Sequence, residues 1–282
     1  MSVIVRSMGL YSRIKNVFSL EGFPGIFKRI MKKFYKVKLS FASLFNFRHI
    51  KSIYGVSFYS NYNDATFCSY ITGNYGYYFH DLLQSYTKPF VLFDIGANQG
   101  LYTILAAQNP ECLKVYSYEP VDSTFRLLEK NVSLNMVADK CCLQNLAVSS
   151  ETGVSNIQID EFHSGAATMR RGNSLTIDSS VTAEVRTIGP EQLSDFVSHL
   201  KGVDLLIKID VEGFEEEVLE TLLTSGLLQL TNSVFVEIDE RWVDKFAIFS
   251  TLSDSGLSSL QKVHGNDVHY DIHATRTSNT AA

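Results

Sequence analysis

Three ionisable side chains alternate along one apolar run of the sequence. Lys208, Asp210 and Glu212 occupy every second position within 206–215, with aliphatic residues between them. On a β-strand, a period of two places the three groups on one side. Burying such groups is costly unless they are paired or used in chemistry. We therefore predict a catalytic set in which Asp210 or Glu212 acts as general base or orienting acceptor and Lys208 keeps the carboxylate ionised. A purely structural pair between Lys208 and an acid is the alternative.

A second acidic pair ends the next apolar run, 234–238. Glu237 and Asp239 share one face of that predicted strand and should lie next to Asp210. These carboxylates could recognise the hydroxyls of a substrate, act as a base, or hold a divalent metal through oxygen ligands. The metal is the less favoured interpretation, because no histidine joins the cluster in sequence.

A glycine-containing turn, DIGANQGLYT, follows an earlier apolar run. Gly96 and Gly100 allow a tight turn and a close approach of backbone N–H groups to a ligand. The turn lacks the GxGxxG of dinucleotide sites and the lysine of a P-loop. What remains is the D-x-G-x-x-x-G turn of S-adenosyl-L-methionine binders, in which Asp94 would organise the turn. The predicted cofactor-binding residues of this segment are Asp94, Gly96, Ala97, Asn98, Gly100, Tyr102 and Thr103.

An acidic residue at the end of the next predicted strand supports a nucleotide-type cofactor. Glu119 lies 25 residues after Asp94 and is followed by Pro120, which we include in the same site. A carboxylate at this place can accept hydrogen bonds from both ribose hydroxyls. Glycine turns and strand-end acids are each common, so the prediction depends on their combination.

Alternating apolar runs and amphipathic stretches must position these groups. Strands that alternate with helices of about ten residues predict an α/β fold with a mostly parallel, doubly wound sheet. Ligands bind beyond the carboxyl ends of the strands in such sheets. The predicted strands of this pattern are 90–94, 114–118, 142–148, 203–210 and 233–238. Helices are expected at 99–108, 122–134, 191–200, 215–225 and 242–252.

Other strands are predicted outside the parallel pattern. Two of them, 154–159 and 181–188, should pair around a polar loop, and a final antiparallel hairpin should turn at Gly265-Asn266. The polar outer face of that hairpin accounts for His264, His269 and His273 without a metal.

Charge divides the chain into an arm and a body. The 282 residues carry a net charge of −5, yet residues 1–51 contain 11 basic side chains and one acid. Within this arm, a basic amphipathic helix is predicted near 24–36, with apolar residues on one face and cations on the other. Such a helix could lie on an anionic membrane or meet a lipid-linked substrate. It could also dock on its own domain and leave the basic face in solvent.

Aromatic residues concentrate between the arm and the first predicted strand. Tyr75 and His80 in segment 52–89 are our candidate substrate contacts, because aromatic rings stack on sugar faces. Tyrosines equally build ordinary cores, so the alternative is structural.

The cysteine content and the hydropathy of the sequence indicate in which cellular compartment the protein is expected. Four cysteines show no metal-ligand spacing, which favours reduced thiols. No uncharged apolar run approaches the ~20 residues of a spanning helix, and no signal-peptide pattern is recognised. We expect a cytoplasmic protein that is peripheral at the membrane if the arm binds lipid.

Taken together, the motifs resemble the FkbM-type methyltransferases, which depend on S-adenosylmethionine. The resemblance spans roughly 90–240 and rests on DIGANQGLYT, YEP, NLAVSSETG, KIDVEGFEEEVL and VEID. It implies a Rossmann-like class I methyltransferase fold and O-methylation, often of sugar hydroxyls in glycans or glycosylated metabolites. It also implies that the glycine turn holds the methionine part, Glu119 the ribose and Asn145–Ala147 the adenine, with Asp210 beside the transferred methyl.

The resemblance completes the expected domain organisation. We expect a basic arm at 1–51, a substrate or lid segment at 52–89, the methyltransferase domain at 90–273 and a disordered tail at 274–282. Rival functions are a non-catalytic cofactor-binding or scaffold protein in glycan assembly, and a methyltransferase for another small molecule. A nucleic-acid substrate is not expected, because the N/D-P-P-Y signature of base amino methylation is absent.

Overall fold

A computed structural model describes residues 25, 27–160, 162–169, 180–200 and 202–277. The helices are α1 (27–44), α2 (Ala65–Thr72), α3 (Tyr77–Ser85), α4 (Leu101–Gln108), α5 (Asp122–Leu134), α6 (Pro190–Ser194), α7 (Glu215–Thr224), α8 (Leu227–Leu230) and α9 (Lys245–Asp254). The strands are β1 (His49–Lys51), β2 (Ser57–Tyr59), β3 (Phe90–Ile95), β4 (Cys112–Tyr118), β5 (Cys141–Gln144), β6 (Ala147–Val148), β7 (Gly153–Asp160), β8 (His163–Thr168), β9 (Ser180–Ile188), β10 (Asp204–Ile209), β11 (Thr231–Asp239), β12 (Ser259–Gly265) and β13 (His269–Thr275).

A seven-stranded sheet forms the centre, in the order β12-β13-β11-β10-β3-β4-β5. The five strands from β11 to β5 are parallel, whereas β13 runs antiparallel to β11 and pairs with β12 in the C-terminal hairpin. This arrangement confirms the predicted Rossmann-like class I methyltransferase fold. The parallel strands read as nearly continuous apolar runs because helices cover both faces of the sheet.

Two hydrophobic cores fill the layers on either side of the sheet. One contains Leu101 and Ile104 of α4 together with buried residues of α2 and α3. The other packs α7 and α9 against β10 and β11. The segment 52–89 is therefore built into the domain core: Phe79 of α3 lies fully buried, its ring 4.7 Å from that of Phe235 on β11.

A smaller sheet, in the order β6-β9-β7-β8, flanks the central one. Its β7 and β9 form the predicted antiparallel pair. The single strand predicted at 142–148 is wrong, because β5 joins the central sheet and β6 joins the smaller one. The chain bends between them at Asn145, whose side-chain amide donates hydrogen bonds to the carbonyls of Glu119 and Pro120.

Three further boundaries predicted from the sequence, those of two helices and of the C-terminal tail, differ from the structure. The helix predicted at 191–200 ends at Ser194, after which Phe196 packs its ring 5.4 Å from that of Phe93. The helix predicted at 242–252 begins at Lys245, because the Asp244 side chain accepts a hydrogen bond from the backbone of Phe246. The tail prediction is wrong at its start, since β13 extends to Thr275. Within the described ranges, no helix is long and apolar enough to cross a membrane.

Candidate active site

A cleft of about 230 Å³ opens at the carboxyl ends of β3, β4, β10 and β11. The central sheet supplies one wall, and α2, the loop before α3 and β8 supply the other. Nine of the residues proposed from the sequence line this cleft: Tyr75, Gly96, Asn98, Glu119, Pro120, Ala147, Asp210, Glu212 and Glu237.

The glycine turn brings three strand ends into backbone contact. Gly96 has a φ of +76°, and a Cβ at this position would lie 1.9 Å from the carbonyl oxygen of Asp210. The backbone N–H groups of Gly96 and Ala97 both donate to the carbonyl of Tyr118, at 3.0 and 2.9 Å. Only glycine satisfies this combination of a left-handed backbone and direct contact. The turn therefore fixes the end of β3 against the ends of β4 and β10.

Glu119 lines the cleft at the end of β4 as a buried carboxylate. Its two oxygens accept hydrogen bonds from the backbone N–H groups of Asn98 and Val121, each at 2.9 Å. Burial nevertheless raises the pKa of Glu119 to about 7. The carboxylate is thus held in one orientation, and donors from a ligand would stabilise its charged form.

Lys208 lies behind the catalytic candidate Asp210. Its Nζ is 3.5 Å from carboxylate oxygens of both Asp94 and Asp210, and it donates hydrogen bonds to the carbonyls of Ile95 and Gly96. Burial opposes its charge, but the carboxylates of Asp210 and Asp94 raise the pKa of Lys208 overall. Lys208 therefore acts as a buried counter-charge and does not line the cleft.

Asp210 receives a second partner from the opposite wall. The Tyr75 hydroxyl donates a hydrogen bond of 2.7 Å to Asp210 Oδ2. Burial and the charge of Asp210 raise the pKa of Tyr75 well above its usual range, so the phenol remains a neutral donor. Asp210 is therefore oriented by two groups, Lys208 and Tyr75.

Two further carboxylates gather around Asp210. Oxygens of Asp210, Glu212 and Glu237 lie within 4.8 Å of one another, a spacing that a metal ion could bridge. Burial and the charges of Glu237 and Asp210 raise the pKa of Glu212 well above its usual range. Burial and Asp210 likewise raise the pKa of Glu237 to about 7. A cationic ligand in this cleft would relieve the repulsion between these groups.

Five of the predicted residues lie behind the cleft wall. Thr103 donates a hydrogen bond of 2.6 Å to Asp94, and both side chains are fully buried below the turn. The Tyr102 ring packs against Phe79 at 5.0 Å. Five residues of the 94–103 turn stabilise it without lining the cleft: Asp94, Ala97, Gly100, Tyr102 and Thr103.

Three other predicted residues are also outside the cleft lining. Asn145 uses its amide to fasten the 119–120 backbone. Asp239 pairs with Arg241 Nε at 2.8 Å. His80 lies 2.7 Å from Asp81 and packs on the Tyr54 ring at 5.1 Å. Their side chains stabilise surrounding structure.

Comparison with known proteins then adds an independent finding. The family model described as "Methyltransferase FkbM domain" matches residues 94–269, which is more than half of the chain and contains most of the cleft.

The chain belongs to the FkbM methyltransferase family.

Two curated relatives support this assignment. "Methyltransferase 1" of Beauveria bassiana is 29% identical over 178 residues, which cover 58% of this chain and 70% of that protein. The "31-O-demethyl-FK506 methyltransferase FkbM" of Streptomyces tacrolimicus is 29% identical over 153 residues, covering 46% of this chain and 58% of that protein. A solved FkbM methyltransferase from Methylobacillus flagellatus covers 65% of this chain and 42% of its own, with 10% identity and a TM-score of 0.43.

This FkbM methyltransferase has site residues that the sequence analysis missed. His269 lines the cleft, and its Nε2 lies 2.7 Å from Glu237 Oε1. The hydrogen bond to Glu237 raises the pKa of His269 to about 9, so His269 is a cation beside the acids. The hairpin explanation for this histidine is therefore wrong. The overlooked signal is strand pairing, because β13 runs beside β11 and places Asp239 opposite His269.

The second wall of the FkbM cleft contains residues that no motif indicated. Asp64 caps α2, and its side chain also accepts hydrogen bonds from Gln99 Nε2 (2.9 Å) and the Ser164 backbone (2.7 Å). These contacts tie α2 to the glycine turn and to β8. The cleft residues contributed by this wall, beside Tyr75, include Thr66, Ser69, Tyr70, His163 and Ser164.

Proposed function

We propose that this FkbM methyltransferase transfers the methyl group of S-adenosylmethionine to a hydroxyl on a sugar of a glycan or glycosylated metabolite. One observation carries the proposal. Gly96, Glu119 and Asp210 directly follow three adjacent parallel strands, β3, β4 and β10, and meet at one cleft, where α/β sheets bind ligands.

The residues present fit this cofactor chemically. Glu119 would hold the ribose hydroxyls with a buried carboxylate, and Ala147, which lines the cleft, would contact the adenine. The methionine part would lie along the turn at Gly96 and Asn98. A sulfonium is a cation, and the acidic groups of the cleft have raised pKa values that a cation would lower again.

The bound cofactor would supply an electrophilic methyl: the acceptor oxygen forms the new C–O bond, and the electron pair of the broken C–S bond stays on sulfur. The protein must then orient the acceptor hydroxyl and remove its proton. Asp210 accepts hydrogen bonds, lines the cleft and is fixed by Tyr75 and Lys208. It would orient the acceptor O–H, and Asp210 or Glu212 would take up the proton.

The character of the second wall supports a polar, hydroxyl-bearing acceptor. Tyr70 and Tyr75 offer ring surfaces, while Ser69 and Ser164 offer hydroxyl groups. Such a combination suits sugar rings, which present both apolar faces and hydroxyls. The name of the Streptomyces tacrolimicus relative describes methylation at an oxygen, which supports a hydroxyl as the reacting group.

The experiment combines binding and turnover. Calorimetry with S-adenosylmethionine tests the cofactor, and mass spectrometry of a panel of glycans, glycosylated metabolites and other hydroxyl-bearing small molecules tests the acceptor. A gain of one methyl on a sugar oxygen supports the proposal. Methylation of non-sugar hydroxyls alone would support the broader small-molecule alternative. Cofactor binding without product for any acceptor would favour a non-catalytic binding or scaffold protein.

A second candidate is the same transfer assisted by a divalent cation. The approach of Asp210, Glu212 and Glu237 to within 4.8 Å favours it, and their oxygens suit a hard cation such as Mg²⁺. Dialysis against a chelator followed by measured turnover with and without added Mg²⁺ decides between the two. Full activity after chelation would leave the carboxylates as binders of the acceptor and the sulfonium.

A further inference from the structure

A continuous apolar stripe runs along the outward face of α1. Its six residues recur at alternating spacings of three and four, and each is between 54% and 79% exposed. We call them the outer stripe: Phe27, Ile30, Phe34, Val37, Phe41 and Leu44. At 1.5 Å per residue, α1 spans about 27 Å, so the stripe is as long as a small domain is wide. Exposed apolar surface of this continuity marks an interaction site.

A different face of α1 attaches it to the domain. Tyr35 and Leu39 pack against the hydrophobic core, and Ala42 is 1% exposed. Lys28 Nζ lies 3.4 Å from the centre of the Tyr77 ring on α3. Phe34 and Lys28 lie on different faces, in agreement with the predicted separation of apolar and basic residues. The prediction is wrong for Tyr35, which packs against the domain instead of sharing the face of Phe34. The outer stripe is not needed for docking.

Charge around the outer stripe identifies its partner. Lys33 and Lys36 are both exposed, and each directly precedes a residue of the outer stripe, Phe34 or Val37. We call these two lysines the cationic edge. The sequence contains eight basic residues and no acid between Glu21 and Asp64. A second copy of α1 would bring like charges together, whereas an anionic surface would be complementary.

We propose that the outer stripe and its cationic edge bind an anionic lipid bilayer, with α1 lying in the plane of the interface. Phenylalanine and aliphatic side chains would enter the headgroup boundary, and each lysine near it would strengthen binding about fivefold. Because α1 contacts Tyr77, two residues after the cleft residue Tyr75, binding would hold the cleft close to the membrane surface.

Flotation of the full chain with lipid vesicles tests this proposal. The probes are vesicles of phosphatidylcholine alone and vesicles in which about a third of the lipid is phosphatidylglycerol. The stripe variant is Phe34→Glu with Val37→Glu, and the edge variant is Lys33→Glu with Lys36→Glu. The matched control is Phe246→Glu, which alters an aromatic residue of similar exposure on α9.

We expect wild type and control to float with anionic vesicles and at least tenfold less with phosphatidylcholine alone. The stripe variant should lose at least tenfold in binding, and the edge variant should lose about tenfold together with most of the salt dependence. Thermal melting should stay unchanged, because every altered side chain is exposed.

Other outcomes would overturn the proposal. Equal flotation of wild type and stripe variant, or a wild type that stays with the lipid-free fraction, contradicts it. A stripe variant that turns a dimer into a monomer in light scattering would assign the surface to a second copy instead. Methyl transfer to a water-soluble acceptor does not depend on α1, so failure here is distinguishable from failure of the proposed function.

Discussion

The two walls of the cleft are built from different chemistry. The wall formed by the central sheet carries charge: Glu119, Asp210 and Glu237 stand at strand ends, backed by the buried Lys208. The wall formed by α2, the loop before α3 and β8 carries rings and hydroxyls. The charged wall suits a cationic cofactor, and the neutral wall suits an acceptor. The Tyr75–Asp210 hydrogen bond joins them, and we expect Asp210 to act on the acceptor from the charged wall. Substitutions at Glu119 should therefore change cofactor binding, whereas substitutions at Asp210 and Tyr75 should change turnover of the acceptor.

Replacing the central carboxylate should have the largest effect. Asp210→Asn retains the shape but removes the carboxylate that we propose orients and deprotonates the acceptor, so turnover should fall about 10³-fold. Affinity for S-adenosylmethionine should change by only about threefold, because Glu119 and the turn remain. Asp239→Asn is the matched control, since Asp239 pairs with Arg241 outside the cleft. Wild-type turnover by Asp210→Asn would remove Asp210 from the mechanism.

The substitution Gly96→Ala, which adds one methyl group, should destabilise the charged wall. The added Cβ meets the Asp210 carbonyl at 1.9 Å in a left-handed backbone, so the free energy of unfolding should fall by about 3 kcal/mol. Gly202→Ala is the control: its φ is +85° and no heavy atom lies within 4 Å of the new Cβ. It should cost only the backbone strain, about 1 kcal/mol. Equal losses in chemical denaturation would show that contact with Asp210 is unimportant.

The pH dependence of cofactor binding should report the protonation of the Glu119 carboxyl. Its pKa of about 7 means that the carboxyl is protonated below neutral pH and charged above it. Hydrogen-bond donors of the cofactor prefer the charged form, so affinity should rise about tenfold between about pH 6 and about pH 8. Calorimetry with S-adenosylhomocysteine measures this without interference from the sulfonium. Glu119→Gln should bind about tenfold more weakly above neutral pH, and a retained pH dependence in this variant would assign the effect elsewhere.

The smallest expected effect lies on the neutral wall. Tyr75→Phe removes the donor to Asp210 and keeps the ring, so turnover should fall about tenfold, as expected for one hydrogen bond to a charged group. Cofactor affinity should remain unchanged. A loss of cofactor affinity equal to that of Glu119→Gln would show that the neutral wall also binds the cofactor.

The same division explains what the sequence could predict. Gly96, Glu119 and Asp210 were found because each occupies a fixed place relative to an apolar run, and a parallel sheet brings such places together. The fold followed from the same alternation of strands and helices. The residues of the charged wall can therefore be predicted from local sequence motifs.

The neutral wall depends on contacts between residues far apart in the chain. Asp64 joins Gln99 and Ser164 across 35 and 100 positions, and no local pattern announces that network. His269 was missed because its partner Glu237 lies on a strand paired through the C-terminal hairpin. His80 was proposed as a substrate contact but lies outside the cleft lining. The sequence of an aromatic-rich segment is similar whether its rings line a cleft or pack in a core.

A crystal structure with S-adenosylhomocysteine bound tests the central claim most directly. The account predicts density for the ligand along the 94–103 turn, with the ribose hydroxyls on Glu119 and the adenine beside Ala147, leaving the Tyr70–Tyr75 surface open for an acceptor. Ligand density against the neutral wall, or at any site that does not contact Gly96 and Glu119, would contradict it.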